Sequence, residues 1–301
     1  MRPQIQQTQT EARKDRQRAL IALVLGAASI GFVPILVRLT DTGPSAGGFW
    51  RMLFALPVLA LIASRDGEPL VKSPTLPVLL AGLFIGLDLA FWHYGIKYTS
   101  IANATVISNL APVGVTILAW ILFRERPSLM FMGGLALAVT GAVTMATQRA
   151  GGMQVTSLLG DGLSLATAGW YALYFVAMRK ARDTMGAVRA MFWSSAAAAV
   201  VMLVVSLGLQ EQFIPGSPGG WAACVGLAAL HVTGQGLIAW ALGKLPTSTA
   251  SVTVLIQPVV AAMAGWMLFA EHLSPLQSAG GLLTLAGVVL AQRASAETSR
   301  S

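Results

Sequence analysis

Residues 112–125 read PVGVTILAWILFRE, and residues 258–271 read PVVAAMAGWMLFAE. Adding 146 (258 − 112) to each number lays Pro112 on Pro258, Val113 on Val259, Trp120 on Trp266, Phe123 on Phe269 and Glu125 on Glu271. The register runs on without a gap to Ser128 on Ser274, Gly134 on Gly280 and Gly141 on Gly287. Matches of Leu and Ala are expected between any two apolar stretches, but Pro, Trp, Glu and Gly in one ungapped register mark a repeat. The chain reads as two related halves, 19–147 and 158–292, with tails at 1–18 and 293–301.

Composition identifies the solvent around those halves. Of 301 residues, 55% are hydrophobic and 11% charged, and mean hydropathy is +0.69. An ordinary soluble domain carries roughly a quarter charged residues, so most of this surface must face lipid. The single cysteine, Cys224, excludes an internal disulfide framework and a cysteine-based metal site, and reads as a small apolar filler.

Working outward, the polar tail 1–18 reads as a retained, disordered segment, because its apolar run begins late and continues as a span instead of ending at a cleavage site. Apolar segments follow at 19–37, 46–64, 76–97, 99–123, 129–147, 158–178, 187–209, 221–243, 247–269 and 275–292. At ~1.5 Å per residue each reaches across a ~30 Å hydrocarbon core. The fold expected is all-α, with ten spans, five per half. Basic residues collect in cytoplasmic loops. With the tail inside, 16 Lys and Arg fall on the inner side and only Arg38, Lys97 and Arg149 outside, while Arg51 lies within a span. Both termini are therefore expected in the cytoplasm. The net charge of +8 follows from that bias and suits anionic lipid, so no nucleic-acid partner is called for.

An odd number of spans per half makes the second copy cross the membrane in the opposite sense to the first. Inverted repeats give two arrangements of nearly equal energy, one open to each side, and so point to transport by alternating access. Glu125 and Glu271 then lie at opposite faces. A carboxylate at a helix C-terminus opposes the macrodipole, so each is expected to pair, Glu125 with Arg124 and Arg126, Glu271 with His272.

The run Tyr94-Gly95-Ile96-Lys97-Tyr98-Thr99-Ser100, then Asn103-Ala104, Pro112, Trp120 to Glu125, Gly134 and Gly141, resembles the EamA repeat of the drug/metabolite transporter superfamily. The pattern recurs in Ala250-Ser251, Pro258, Leu268-Phe269-Ala270-Glu271, Gly280-Gly281 and Gly287, with Ala270 where the first copy has Arg124. The resemblance covers the chain beyond the tail. It implies movement of small metabolites across a bacterial inner membrane, through a central cavity formed by the third, fourth, eighth and ninth spans with help from the first and sixth. It is nearest to amino-acid exporters, the aromatic branch among them.

The residues point to the same helices, because intramembrane polar groups are costly against lipid and turn inward. Asp88 and Trp92 are four apart and share a face, and Tyr94 and Tyr98 form a second stripe. Asp88 reads either as a carboxylate that takes a proton or an amine, or as a structural partner of Arg51. The two tyrosines read either as an interfacial belt or as rings that stack on substrate. Asn109 shares a helical face with Pro112, and Gln257 precedes Pro258. Each proline removes a backbone hydrogen bond and is expected to kink and gate its helix at mid-membrane. Trp170 and Tyr174 form a stripe in the sixth span, read as packing or as cavity wall. His231, one turn from Gln235 in the eighth, reads either as a satisfied core residue or, with that glutamine, as a donor and an acceptor inside the bundle.

Three function classes compete: a secondary transporter, an intramembrane enzyme, and a non-transporting receptor or assembly subunit. The chain has no His-Glu-x-x-His, paired intramembrane aspartates or P-loop, so enzyme, metal and cofactor readings are not supported. Short loops disfavour a receptor. Transport driven by a substrate or ion gradient remains. One cation within a span is too few for phosphate or sugar nucleotide, whereas aromatics, amides, His and Asp suit an amino acid, with cationic drugs or quaternary amines as the alternative substrate. The partners expected are a small-molecule substrate and the lipid bilayer, with monomer and homodimer both open.

Overall fold

The computed structural model describes residues 2–65, 73–98, 107–149, 158–269 and 273–298. Within them every regular element is helical. The helices are α1 (Arg2–Gly31), α2 (Val33–Leu39), α3 (Pro44–Arg65), α4 (Leu76–Tyr98), α5 (Ala111–Phe123), α6 (Leu129–Arg149) and α7 (Leu158–Arg182). Then come α8 (Ala187–Gly208), α9 (Pro218–Leu230), a π turn at His231–Gln235, α10 (Gly236–Leu242), α11 (Thr247–Thr253), α12 (Ile256–Phe269) and α13 (Pro275–Thr298).

Local sequence explains where several of these begin and end. Ser217 caps α9 by accepting from Gly220 N at 3.0 Å, with Pro218 in the first helical position, where a missing N–H costs nothing. The α5 helix stops at Arg124, in the left-handed region at φ 56°. The N-terminal segment departs from the expected disorder: its backbone is helical from Arg2. Residues 4–18 lack Gly and Pro and are rich in Gln, Arg and Lys, which lose little side-chain freedom in a helix, so the first span extends into the tail.

Among the described residues seven helical stretches are long and apolar enough to cross a membrane: 14–39, 44–65, 76–95, 129–146, 187–208, 218–242 and 247–268, with Ala111–Phe123 a shorter apolar helix. The α7 and α13 helices have the length, at 25 and 24 residues, but carry more polar side chains, among them Asp161, Arg179, Gln277 and Gln292. Side-chain burial is inverted relative to a soluble protein. Val204, Met267 and Leu282 are 64%, 71% and 70% exposed, while Arg51, Asp88, His231 and Gln235 are at most 8% exposed. An apolar exterior around a polar interior is the pattern of a protein solvated by lipid.

Most of the packing joins one half to the other: α6 with α13, α4 with α7 and α8, α3 with α8, and α1 with the π turn and α10. The closest seam is glycine against glycine. A Cβ on Gly141 would lie 2.5 Å from Gly280 O, and one on Gly287 would lie 2.6 Å from Gly134 O. Rising numbers on α6 meet falling numbers on α13, so the two helices run antiparallel. Gly134 and Gly141 are also the repeat equivalents of Gly280 and Gly287, so exchanging the halves maps the contact onto itself, as in an isologous interface. Beneath these seams Leu23, Met52, Leu59, Phe175, Met178, Met191, Ile238 and Leu242 form the main apolar core.

Candidate functional site

Polar side chains from five helices and the π turn converge between the halves. Arg51 comes from α3, Asp88 from α4, Tyr171 and Tyr174 from α7, Ser195 from α8, His231 and Gln235 from the π turn, and Gln257 from α12. The π turn lies between Leu230 and Gly236 and contains Gly234, a poor helix former whose replacement by a larger residue would strike Ile30 of α1. Its widened backbone is a form often found at functional positions, and here both His231 and Gln235 are buried, at 3% and 4% exposed.

Hydrogen bonds fix the centre of the cluster. Arg51 Nη2 lies 3.3 Å from His231 Nδ1, and His231 Nε2 lies 2.9 Å from Ser195 Oγ. A guanidinium has no acceptor, so Arg51 donates to Nδ1, and the imidazole presents its Nε2–H to Ser195. Gln235 Nε2 donates to Tyr174 OH at 2.7 Å, and the Gln257 side chain faces the Tyr171 hydroxyl. Asp88 and Arg51 sit within each other's field, and both act on Tyr171 and Tyr174. Among the described residues no direct ion pair joins Asp88 to Arg51.

The prolines sit at breaks where the expectation was a kink within a continuous helix. Pro112 falls in the first turn of α5, behind a turn at residues 109–110, and Pro258 in the first turn of α12, behind a turn at residues 254–255. Proline is tolerated in a first turn because its missing N–H has no intrahelical partner there. Pro112 is buried and its carbonyl accepts from Thr116 Oγ1 at 2.8 Å; Pro258 is half-buried. Asn109 and Gln257 flank the two breaks, and among the described residues Asn109 Nδ2 and Gln257 Nε2 are buried without a hydrogen-bond partner.

Other expected site residues lie outside this cluster. Trp92 meets His93 edge-on at 5.1 Å, and Trp170 stacks on Phe84 at 5.9 Å, which makes it a wall between α4 and α7. The Tyr94 hydroxyl donates to Glu211 near one end of the bundle, and Tyr98, beside it, is half exposed. Asn103 of the repeat motif lies outside the described residues.

Each end of the bundle is tied by a carboxylate on a helix N-terminus. At the α8–α9 end, Glu211 accepts from Ala46 N of α3 at 2.9 Å and from Tyr94 of α4, and Trp50 Nε1 donates to Phe213 O at 2.8 Å. Nearby Asp41 lies against Ser217 and Gly220, and the Ser217 hydrogen bond holds its carboxyl below the ordinary value of 3.8. At the opposite end, Glu125 accepts from Thr247 N at 2.9 Å, Ser248 N at 3.1 Å and Ser248 Oγ at 2.9 Å. This corrects the expected pairing with Arg124 and Arg126. Three donors on the positive end of α11 satisfy the carboxylate better than flexible arginines in water. Glu271 and His272 lie outside the described residues.

Glu211, Ser195, Tyr171 and Arg51 form part of this network without having been singled out from sequence as site residues. Arg51 carried the one available signal, a cation within a span; the others sit in stretches where nothing local marks them. Between the ties Thr40, Gly48, Arg51, Leu89, His93 and Leu227 line a cavity of about 30 Å³, room for one water. A groove of about 670 Å³ between α1, α3, α8 and α10, lined by Ile21, Leu25, Leu59, Met191 and Trp240, is apolar and separate from the cluster.

A lipid-solvated helical bundle with a charged, hydrogen-bonded interior tied at both ends is an integral membrane protein. The model of the EamA-like transporter family matches residues 17–147 and again 158–292. The chain belongs to that family, so it is a transporter of a small-molecule substrate and not an enzyme. Among its relatives is an uncharacterized transporter of Archaeoglobus fulgidus, 27% identical over 273 residues, covering 90% of this chain and 95% of that protein. A probable terminal-alkyne amino-acid exporter of Streptantibioticus cattleyicolor is 24% identical, covering 91% and 92%. The threonine/homoserine exporter RhtA of Escherichia coli is 26% identical over 287 residues, covering 93% and 92%. A solved crystal structure 17% identical in sequence superposes with a TM-score of 0.79 over 95% of this chain and 99% of the other, which shows a shared fold.

Proposed function

We propose that this protein exports amino acids across a bacterial inner membrane by alternating access. Ten spans form two inverted five-helix repeats, and both termini lie in the cytoplasm. The observation that carries the reading is the buried cluster of Arg51, Asp88, His231, Gln235, Tyr171 and Tyr174 between the halves, which places charges of both signs and hydrogen-bonding groups where a small polar solute would cross. Two exporters of amino acids among the relatives support the substrate class. The antiparallel α6–α13 seam, self-equivalent under the repeat, supports inversion. The basic bias of one set of loops supports the orientation, which puts the Glu125 tie on the cytoplasmic side and the Glu211 tie outside.

In the cycle, the Glu125 tie opens toward the cytoplasm, substrate reaches the cluster past Asn109 and Gln257, that tie re-forms, and release of the Glu211–Tyr94–Ala46 tie opens the outer side. Trp92, Tyr94, Tyr98 and Trp170 line that path. The breaks before Pro112 and Pro258 are where the helices flex. Cationic drugs fit less well, because Arg51 shares the field of Asp88 and repels a bare cation.

Purified protein in proteoliposomes, offered radiolabelled L-threonine, L-homoserine and L-phenylalanine beside tetraphenylphosphonium, decides between the substrates. Counterflow of at least one amino acid, none of the cation, and a fall of at least about tenfold in Asp88→Asn are expected. Flux of the cation alone would overturn the amino-acid reading. A pH jump in the same vesicles reads proton coupling.

A further inference from the structure

Arg51 and Asp88 are the two charges at the centre, and each keeps a face unused. Both are 8% exposed. The Asp88 carboxylate has no hydrogen bond or ion pair from any described residue, and Arg51 Nε is buried without a partner among them. A guanidinium or carboxylate taken out of water and left unpaired is strongly unfavourable. Two opposite charges close enough to feel each other would relieve that cost by closing into a direct pair, yet here they do not. The reason lies in what holds the arginine. His231 Nδ1 takes Nη2, Ser195 in turn fixes His231, and Gln235 holds Tyr174 alongside. The guanidinium is oriented by α7, α8 and the π turn, with its Nε edge left over.

From this geometry we infer that Arg51 and Asp88 form a bipolar receptor for a zwitterion, with the Arg51 Nε edge taking the α-carboxylate and Asp88 the α-ammonium of one amino acid. The inference rests on the amino-acid reading above and adds which end of the substrate each residue holds. A guanidinium edge suits a carboxylate because its planar donors match two acceptor oxygens. A carboxylate suits an ammonium through a charge-assisted hydrogen bond. A monoanion would satisfy Arg51 and leave Asp88 bare, and a monocation the reverse, so only a ligand carrying both charges removes both costs. The cavity beside Arg51, about 30 Å³, takes only a water, so the ligand enters when the halves part at one end.

The test is competition in the counterflow assay with the parental protein. Labelled L-threonine and L-phenylalanine are each challenged with the unlabelled amino acid, its amide, which lacks the carboxylate, and its N-acetyl derivative, which lacks the ammonium. Leaving one buried charge unpaired should weaken each blocked derivative by about thirtyfold or more relative to the free amino acid. Arg51→Gln should then narrow the gap between the amino acid and its amide while keeping the gap to the N-acetyl derivative, and Asp88→Asn should do the opposite. Equal competition by all three ligands on the parent, or unchanged selectivity ratios in both variants, overturns the assignment. Should the variants fail to fold, the parental competition still decides. If the parent carries neither amino acid, the exporter reading falls and this inference with it. If it carries one and the blocked forms compete equally, only the bipolar site falls.

Discussion

His231 is where position and chemistry are most tightly coupled. It accepts from Arg51 and donates to Ser195, linking α3 to α8 through the π turn. Hydrogen bonds between membrane helices contribute about 0.6 kcal/mol on average and up to about 1.7, and bonds to a charged group fall toward the upper end. His231→Ala removes two of them and leaves the Arg51 Nη2 bare, so a loss of about 2 kcal/mol is expected, read as a lower melting temperature in detergent. His231→Asn keeps a donor and an acceptor and should recover part of it. Full stability in His231→Ala would mean that Arg51 is not anchored there.

At the level of elements, the tie between Glu125 and α11 has the clearest consequence. Three hydrogen bonds and the positive helix terminus act on one carboxylate. In Glu125→Ala the amides of Thr247 and Ser248 lose their acceptor. Their hydrogen exchange should accelerate by about thirtyfold, equivalent to about 2 kcal/mol. Arg124→Ala should leave that exchange unchanged, because Arg124 takes no part in the tie. If Arg124→Ala matched Glu125→Ala, the carboxylate would be held by its neighbours in sequence after all. The helix breaks are also properties of elements. Pro112 and Pro258 each lie in the first turn of a new helix, so the bundle contains divided spans, and the Asn109 and Gln257 amide nitrogens beside the breaks have no hydrogen-bond partner among the described residues.

Across the whole molecule, the seam between α6 and α13 holds the halves together without chemistry of its own. A Cβ at Gly141 or Gly287 would come within 2.6 Å of backbone on the facing helix, so the helices must part to admit a side chain. Gly141→Leu and Gly287→Leu should each destabilise by more than the usual 1–3 kcal/mol of overpacking, and by similar amounts, because the seam is self-equivalent. Gly133→Ala and Gly162→Ala face open space and should be neutral or slightly stabilising. A thermal-melt series of the four variants in one detergent checks both statements. Unequal losses at Gly141 and Gly287 would argue against equivalence of the two helices.

Some of this was legible in the sequence because it is local or repeated. An apolar composition fixes a lipid solvent, an ungapped register fixes two related halves, and the cost of polar groups against lipid turns Asp88, Tyr174, His231 and Gln235 inward whatever the helices do next. Which groups those residues meet could not be read in the same way. Arg51 finds His231 across 180 positions and Glu125 finds Ser248 across 123. Such contacts depend on which helix of one half lies against which helix of the other, and helical periodicity says only which face is buried. The carboxylate ties at the ends were decided there too. Each turns on a backbone N–H of one half finding an acceptor that belongs to the opposite half.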